Sequence, residues 1–178
     1  MADDKLKPAP QSLEEIANYY ADLQDGIFEF FAGNSQSLLD RHAESDRQTA
    51  HENALVELEH MCSLATLSSL EAAIRLDYAA RVAKRWRDPL SRALKQVYRQ
   101  REKKARLEDD LISTWRVEAS LPNALASDVI RVFKYRHWLA HGRYWQPKFS
   151  RYNFQRVFEL AAEFVCIMDQ HKMNANTP

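Results

Sequence analysis

Between Leu55 and Ala83 the apolar residues Leu55, Leu58, Cys62, Ala65, Ala72, Leu76, Ala79 and Ala83 recur at intervals of three and four. That spacing puts them on one side of a long helix, and it predicts a single amphipathic helix from about residue 50 to 87. The chain has only three glycines and six prolines in 178 residues. Breakers are therefore too sparse for the many turns of a β-protein. An all-α bundle with long antiparallel helices is the expected fold, and 178 residues suit one domain.

The remaining segments follow from caps and periodicity. Residues 1–11 are polar and carry Pro8 and Pro10, which predicts a disordered tail. Ser12-Leu13-Glu14-Glu15 forms a capping box that opens a helix running to about Phe31, and Ala32-Gly33-Asn34-Ser35 closes it. A polar stretch from Ser37 to His51 leads into the long helix. Asp88-Pro89 then supplies an N-cap and a first-turn proline. The next helix is expected to pack antiparallel to the long one, with Leu90, Leu94, Val97, Leu111, Ile112 and Trp115 as its core stripe. Its charged middle, Arg99 to Arg106, should project into solvent. A loop at Pro122 and Asn123 precedes a helix from about Leu125 to His141, and the last helix spans about Tyr152 to His171. The buried face of that last helix is expected from Phe154, Val157, Phe158, Ala161, Phe164, Val165 and Met168. In domain terms, a helical extension occupies 12–50, the main bundle 51–172 and a disordered tail 173–178.

No run approaches eighteen apolar residues, and Met-Ala-Asp-Asp-Lys lacks the basic and apolar regions of a leader peptide, so a cytoplasmic protein without a membrane span is expected. Cys62 and Cys166 each sit inside an apolar helical pattern and read as reduced core thiols. The formal net charge of zero conceals a polarity. Residues 1–60 carry thirteen acidic and four basic side chains, against twelve and twenty-one in residues 61–178. The C-terminal part could thus attract an anion, or be covered by the acidic N-terminal part. The run Arg99, Arg101, Lys103, Lys104, Arg106 could touch phosphates, although such runs are commonly solvated helix faces.

From Arg131 to Arg156 there are seven basic residues and no acidic one. Aromatic residues are interleaved with them, a mixture in which bases stack on rings and phosphates pair with cations. Lys134, Tyr135, Trp138, Arg143, Tyr144, Trp145 and Lys148 are the candidate RNA contacts. At 100° per residue Arg136 falls at the centre of the apolar face made by Val129, Val132, Phe133, Leu139 and Ala140. A buried unpaired charge is costly, so Arg136 needs a carboxylate, a solvated subunit interface or an anionic ligand. Glu71 is one candidate carboxylate. His137 and His141 lie one turn apart beside it. Such a pair can ligate zinc, but no Glu, Asp or Cys stands nearby to complete a site, so no metal or other cofactor is expected. The competing reading is acid–base chemistry at phosphate, with His141 moving protons and Arg136 stabilising phosphoryl charge.

The string Arg136-His137-Trp138-Leu139-Ala140-His141-Gly142 resembles the Arg-polar-x3-His signature of the HEPN superfamily, in the form of its RiboL-PSP-like members. The resemblance covers roughly residues 50–170, where long helices precede the motif and one more follows. It implies a metal-independent endoribonuclease in which two protomers bring their Arg and His side chains to one cleft, and the ribose 2′-hydroxyl attacks the adjacent phosphate. On that likeness His141 is the acid–base residue, Arg136 stabilises the transition state and His137 orients them. Many HEPN proteins are toxins or defence effectors, often with an antitoxin partner, so RNA, a second copy and an antitoxin are the implied partners. Others have lost catalysis, so a non-catalytic RNA-binding or protein-interaction module is the alternative.

Overall fold

The computed structural model describes residues 10–33, 35–84, 86–143, 145 and 152–176. Among them every regular element is helical. Seven α-helices follow in order: α1 Leu13–Ala32, α2 Gln36–Arg41, α3 Arg47–Ala83, α4 Pro89–Arg101, α5 Ser113–Glu118, α6 Asn123–Ala140 and α7 Phe154–Asn176. α3 has 37 residues, about 55 Å at 1.5 Å per residue. It is the central strut, contacting α1, α4, α6 and α7.

The caps form where the sequence places them. The Ser12 hydroxyl accepts from the Glu15 amide at 3.1 Å and the Glu15 carboxylate accepts from the Ser12 amide at 2.7 Å. The Asp88 carboxylate accepts from the Ser91 amide at 3.0 Å and Pro89 occupies the first turn of α4. α3 and α4 are antiparallel: Arg81 meets Ser91, Tyr78 meets Glu102, and Arg75 meets the Ala105 carbonyl, so one helix ascends as the other descends. The core joins Leu67, Leu70 and Ile74 of α3 to Leu94, Trp115, Val129, Val132 and Phe164 from the other helices. A smaller cluster, Ile16, Leu58, Cys62 and Phe154, ties α1 to α3 and α7. The ring of Tyr20 stacks on that of Phe154 at 4.1 Å. Residues 12–32 thus pack on the bundle.

Four expectations need correction. First, the helix after Pro89 does not run through the charged stretch. It stops at Arg101, Glu102 turns left-handed with φ 51°, and a π-helical turn over Leu107–Ile112 leads into α5. The break aims Leu111, Ile112 and Trp115 at the core. The acidic residues that follow fold back on the basic run: the Asp110 carboxylate accepts from the Arg106 amide at 2.7 Å, and Arg106 pairs with Asp109 at 3.3 Å. Second, the apolar stripe of α3 has the right phase only as far as Cys62. Beyond it the buried face is Thr66, Leu67, Leu70, Ile74, Asp77, Tyr78 and Arg81, while Leu76 is 56% exposed. Third, Cys62 is buried as expected but Cys166 is exposed. Fourth, α7 continues to Asn176, so the C-terminal tail does not begin at 173. Residues 1–9, most of the expected N-terminal tail, and residues 177–178 lie outside the described residues. No helix among the described residues is long and apolar enough to cross a membrane.

Candidate active site

α6 carries the motif because its buried stripe, Leu125, Ala126, Val129, Val132 and Phe133, docks it on the core. This leaves Arg136 half-buried, where the guanidinium Nη2 lies 3.2 Å from Glu71 Oε2 on α3. The other oxygen of Glu71 accepts from Arg75 Nε at 2.8 Å. One carboxylate is therefore shared by two guanidiniums, and the trio keeps a net positive charge. Arg136 Nε is buried and has no hydrogen-bond partner among the described residues. The need of Arg136 for a carboxylate is met by Glu71.

Beside this trio opens a cleft of about 420 Å³, lined among others by Glu71, Glu108, Lys134, Arg136, His137 and Trp145. Lys134 and His137 are exposed. The rings of His137 and His141 are 4.1 Å apart, and Trp145 lies 6.1 Å from His137. His141 is the C-cap of α6, its amide donating to the His137 carbonyl at 3.1 Å, and the residue is exposed at the helix end beyond the cleft walls.

The chain then reverses through two left-handed residues, Gly142 at φ 80° and Arg143 at φ 56°. The Arg143 amide donates to the Trp138 carbonyl at 3.2 Å. Such a reversal satisfies carbonyls that a helix terminus leaves open. Two clips hold the loop. The Trp138 indole donates to the Trp145 carbonyl at 2.7 Å. Arg143 Nη1 donates to Glu57 Oε1 at 2.5 Å and lies 2.6 Å from His60 Nδ1. The hydrogen bond from Arg143 is the main cause that holds the Glu57 carboxyl below its ordinary range. The ring of His60 in turn stands edge-on to Trp138 at 5.7 Å.

Several candidate RNA contacts are placed differently from expectation. Tyr135 is only 4% exposed, packed between Trp138 and Tyr152, so it is a core residue and not a stacking platform. Burial is the first cause that pushes its hydroxyl up to about 12. Trp138 and Trp145 are half-buried. Tyr144 and Lys148 lie outside the described residues. The basic strip is also less free than its composition suggests. Arg131 and Arg156 both pair with Asp128, Arg143 with Glu57 and Arg136 with Glu71. Glu57, His60, Glu108 and Asp128 were missed from the sequence. The first two sit more than eighty residues from Arg143, and no local spacing links them. Among the described residues, no three His, Cys, Asp or Glu side chains converge in a way that would hold a metal ion.

Comparison with family models, curated proteins and solved structures returns no match.

Proposed function

We propose that the chain is a metal-independent endoribonuclease of the HEPN type, acting in the cytoplasm as a homodimer. The observation that carries this reading is the pairing of the His137 and His141 rings, 4.1 Å apart at the end of α6, with His137 and Arg136 both lining the cleft. In the proposed reaction His141 removes the proton of a ribose 2′-hydroxyl. The oxygen attacks the adjacent phosphorus, the bond to the 5′-oxygen breaks, and that oxygen leaves with the proton that His141 took up. The products are a 2′,3′-cyclic phosphate and a 5′-hydroxyl. Arg136 stabilises charge on the phosphoryl oxygens and His137 orients the pair. A second copy across a two-fold axis would close the open side of the cleft. Lys134 and Trp145 at its wall would hold the neighbouring nucleotide by charge and stacking. A toxin or defence role with an antitoxin partner follows from the same resemblance.

One observation favours a second reading, a non-catalytic RNA-binding or protein-interaction module. Arg136 already has a carboxylate partner in Glu71, as a structural arginine would. The deciding experiment incubates end-labelled RNA in EDTA with the wild type, His141→Ala and Arg136→Ala, each checked for folding by circular dichroism. Cleavage leaving cyclic phosphate ends, lost in both variants, is expected. Cleavage retained in both would sink the assignment, and RNA binding without cleavage by the folded wild type would select the second reading.

A further inference from the structure

α1 is half used. At its start Ile16 is fully buried, whereas its last three turns carry Leu23, Ile27, Phe28, Phe30 and Phe31, none of them buried. Leu23 is 36% and Phe28 47% exposed, and Tyr19, one turn before Leu23, is 49% exposed. Helix formation alone does not require this many large apolar groups, and an exposed cluster of them is a mark of an interaction surface. They border a groove of about 600 Å³ between α1, α2 and the start of α3, whose walls include Leu23, Ile27, Phe30, Phe31, Ala50 and Ala54.

The charge around the groove selects its occupant. Asp22 and Glu29 lie along one side of the lining stripe on α1, and Asp25 on the face turned away from it. All three are exposed, and none makes an ion pair among the described residues. Residues 1–60 carry thirteen acidic and four basic side chains. Arg41 lines the groove and is exposed, its guanidinium bonded to Ser37 and 5.0 Å over the Phe30 ring, so it offsets one charge of that acidic surplus. An RNA strand or an anionic membrane would be repelled here. An amphipathic helix with apolar anchors at i, i+3 or i+4, and i+7, and with cations on its flanks, satisfies both the apolar walls and the acidic rim. We infer that this groove docks a positively charged amphipathic helix of a partner protein. The groove contains none of Arg136, His137 and His141, so the inference does not depend on the ribonuclease reading.

The test uses the full chain and a synthetic, dye-labelled helix of about five turns, with leucines at the anchor positions and lysines on the other face. Two control peptides replace the lysines by glutamates or the leucines by alanines. Fluorescence anisotropy should show binding of the lysine–leucine peptide, weakened at least about tenfold by Asp22→Lys with Glu29→Lys, and equally by Leu23→Ser. All these sites are exposed or partly exposed, and thermal melts verify that the variants fold. Both control peptides should bind at least about tenfold more weakly. Amide exchange should slow in residues 20–31 and 50–57 when the lysine–leucine peptide is bound. The proposal is overturned by absence of binding, by equal binding of the glutamate peptide, or by binding indifferent to both groove variants. Sedimentation of the protein alone supplies a further outcome: self-association abolished by Leu23→Ser would make a second copy the occupant and overturn it too.

Discussion

Replacing Arg81 by methionine should be among the most damaging single changes in this fold. Arg81 and Asp77 lie one turn apart on α3, both side chains fully buried, with Arg81 Nε 2.7 Å from Asp77 Oδ2. Nη1 of Arg81 also donates to Ser91 Oγ at 3.0 Å and to Asp88 Oδ1 at 3.2 Å, joining the end of α3 to the cap of α4. The guanidinium lies 5.3 Å from the Trp86 ring centre and 5.2 Å from that of Trp115. Methionine keeps an unbranched chain between the two indoles but leaves the Asp77 carboxylate buried without its cation. Breaking a buried pair in this way costs about 3–5 kcal/mol. For a domain of this size each kcal/mol is about 2–4 °C in Tm, so a fall of roughly 6–20 °C is expected. The pair itself is imperfectly satisfied, since Asp77 Oδ1 and Arg81 Nη2 have no hydrogen-bond partner among the described residues. Removing both charges with Asp77→Leu and Arg81→Met should therefore restore most of the loss, because the desolvation cost of the two ions disappears with them. Burial raises the Asp77 carboxyl above its ordinary value and outweighs the lowering by Arg81. An acid whose folded pKa is raised holds its proton longer in the native state, so its cost grows as pH rises from the ordinary value to the raised one, is complete above it, and is absent below the ordinary one. The deficit of Arg81→Met should accordingly shrink in acid. Urea unfolding followed by circular dichroism, at neutral and acid pH, compares the single and double variants with the wild type. A single-variant loss below about 1 kcal/mol, or a double variant as unstable as the single one, would refute the reasoning.

Three further outcomes are expected. The Glu57 carboxyl is held low chiefly by its hydrogen bond from Arg143, so the contribution of this contact is complete above the ordinary glutamate pKa and is lost as pH falls through the depressed one. A carboxyl NMR titration should find Glu57 back in the ordinary range in Arg143→Ala, and an unchanged midpoint would dissolve the clip. The Tyr135 hydroxyl, pushed up to about 12 mainly by burial, should stay protonated in an ultraviolet titration after exposed tyrosines have ionised near about 10; ionisation of Tyr135 with the rest would mean the ring is accessible. Gly142→Ala places a side chain at φ 80° with open space around the added methyl, so its cost is backbone strain of about 1–2 kcal/mol, read as a Tm fall of a few degrees. A much larger loss would indicate a contact that the added methyl disrupts.

The parts of the fold legible in the sequence are those decided locally. A capping box needs Ser12 and Glu15 three residues apart, and an N-cap needs Asp88 before Pro89, so both can be found without knowing what lies across the core. Apolar periodicity located α7 well because Phe154, Val157, Ala161, Phe164 and Met168 are buried together and little polar interrupts them. The same method lost the phase of α3 because that helix is covered on several sides and buries Ser63, Thr66, Asp77 and Arg81 along with its apolar residues. A face that contains an internally paired aspartate and arginine looks polar until the pair is seen, and Leu76, which the spacing favoured, points outward. The break after Arg101 was illegible for a related reason: it contains neither glycine nor proline, and Glu102 adopts a left-handed angle with its carbonyl accepting from the Tyr78 hydroxyl at 3.0 Å.

The candidate site divides along the same line. Arg136, His137 and His141 lie within two turns of one helix end, so their neighbourhood follows from 3.6 residues per turn, and a charge set on an apolar face called for a carboxylate, a solvated interface or an anion, of which Glu71 is the first. Composition was a poorer guide to the surrounding surface. Seven basic residues without an acid between Arg131 and Arg156 suggested a free cationic strip, yet Asp128 takes two of those arginines, and Glu57 and Glu71 one each. These ion pairs turn a charge that is additive in sequence into one that is partly cancelled in space. Lys134, exposed at the cleft, and Arg136, which shares the one carboxylate of Glu71 with Arg75, are the cations least neutralised there. Asp22 and Glu29, beside the α1 groove, show the opposite case: they make no ion pair among the described residues, so their charge survives folding and remains available to a partner.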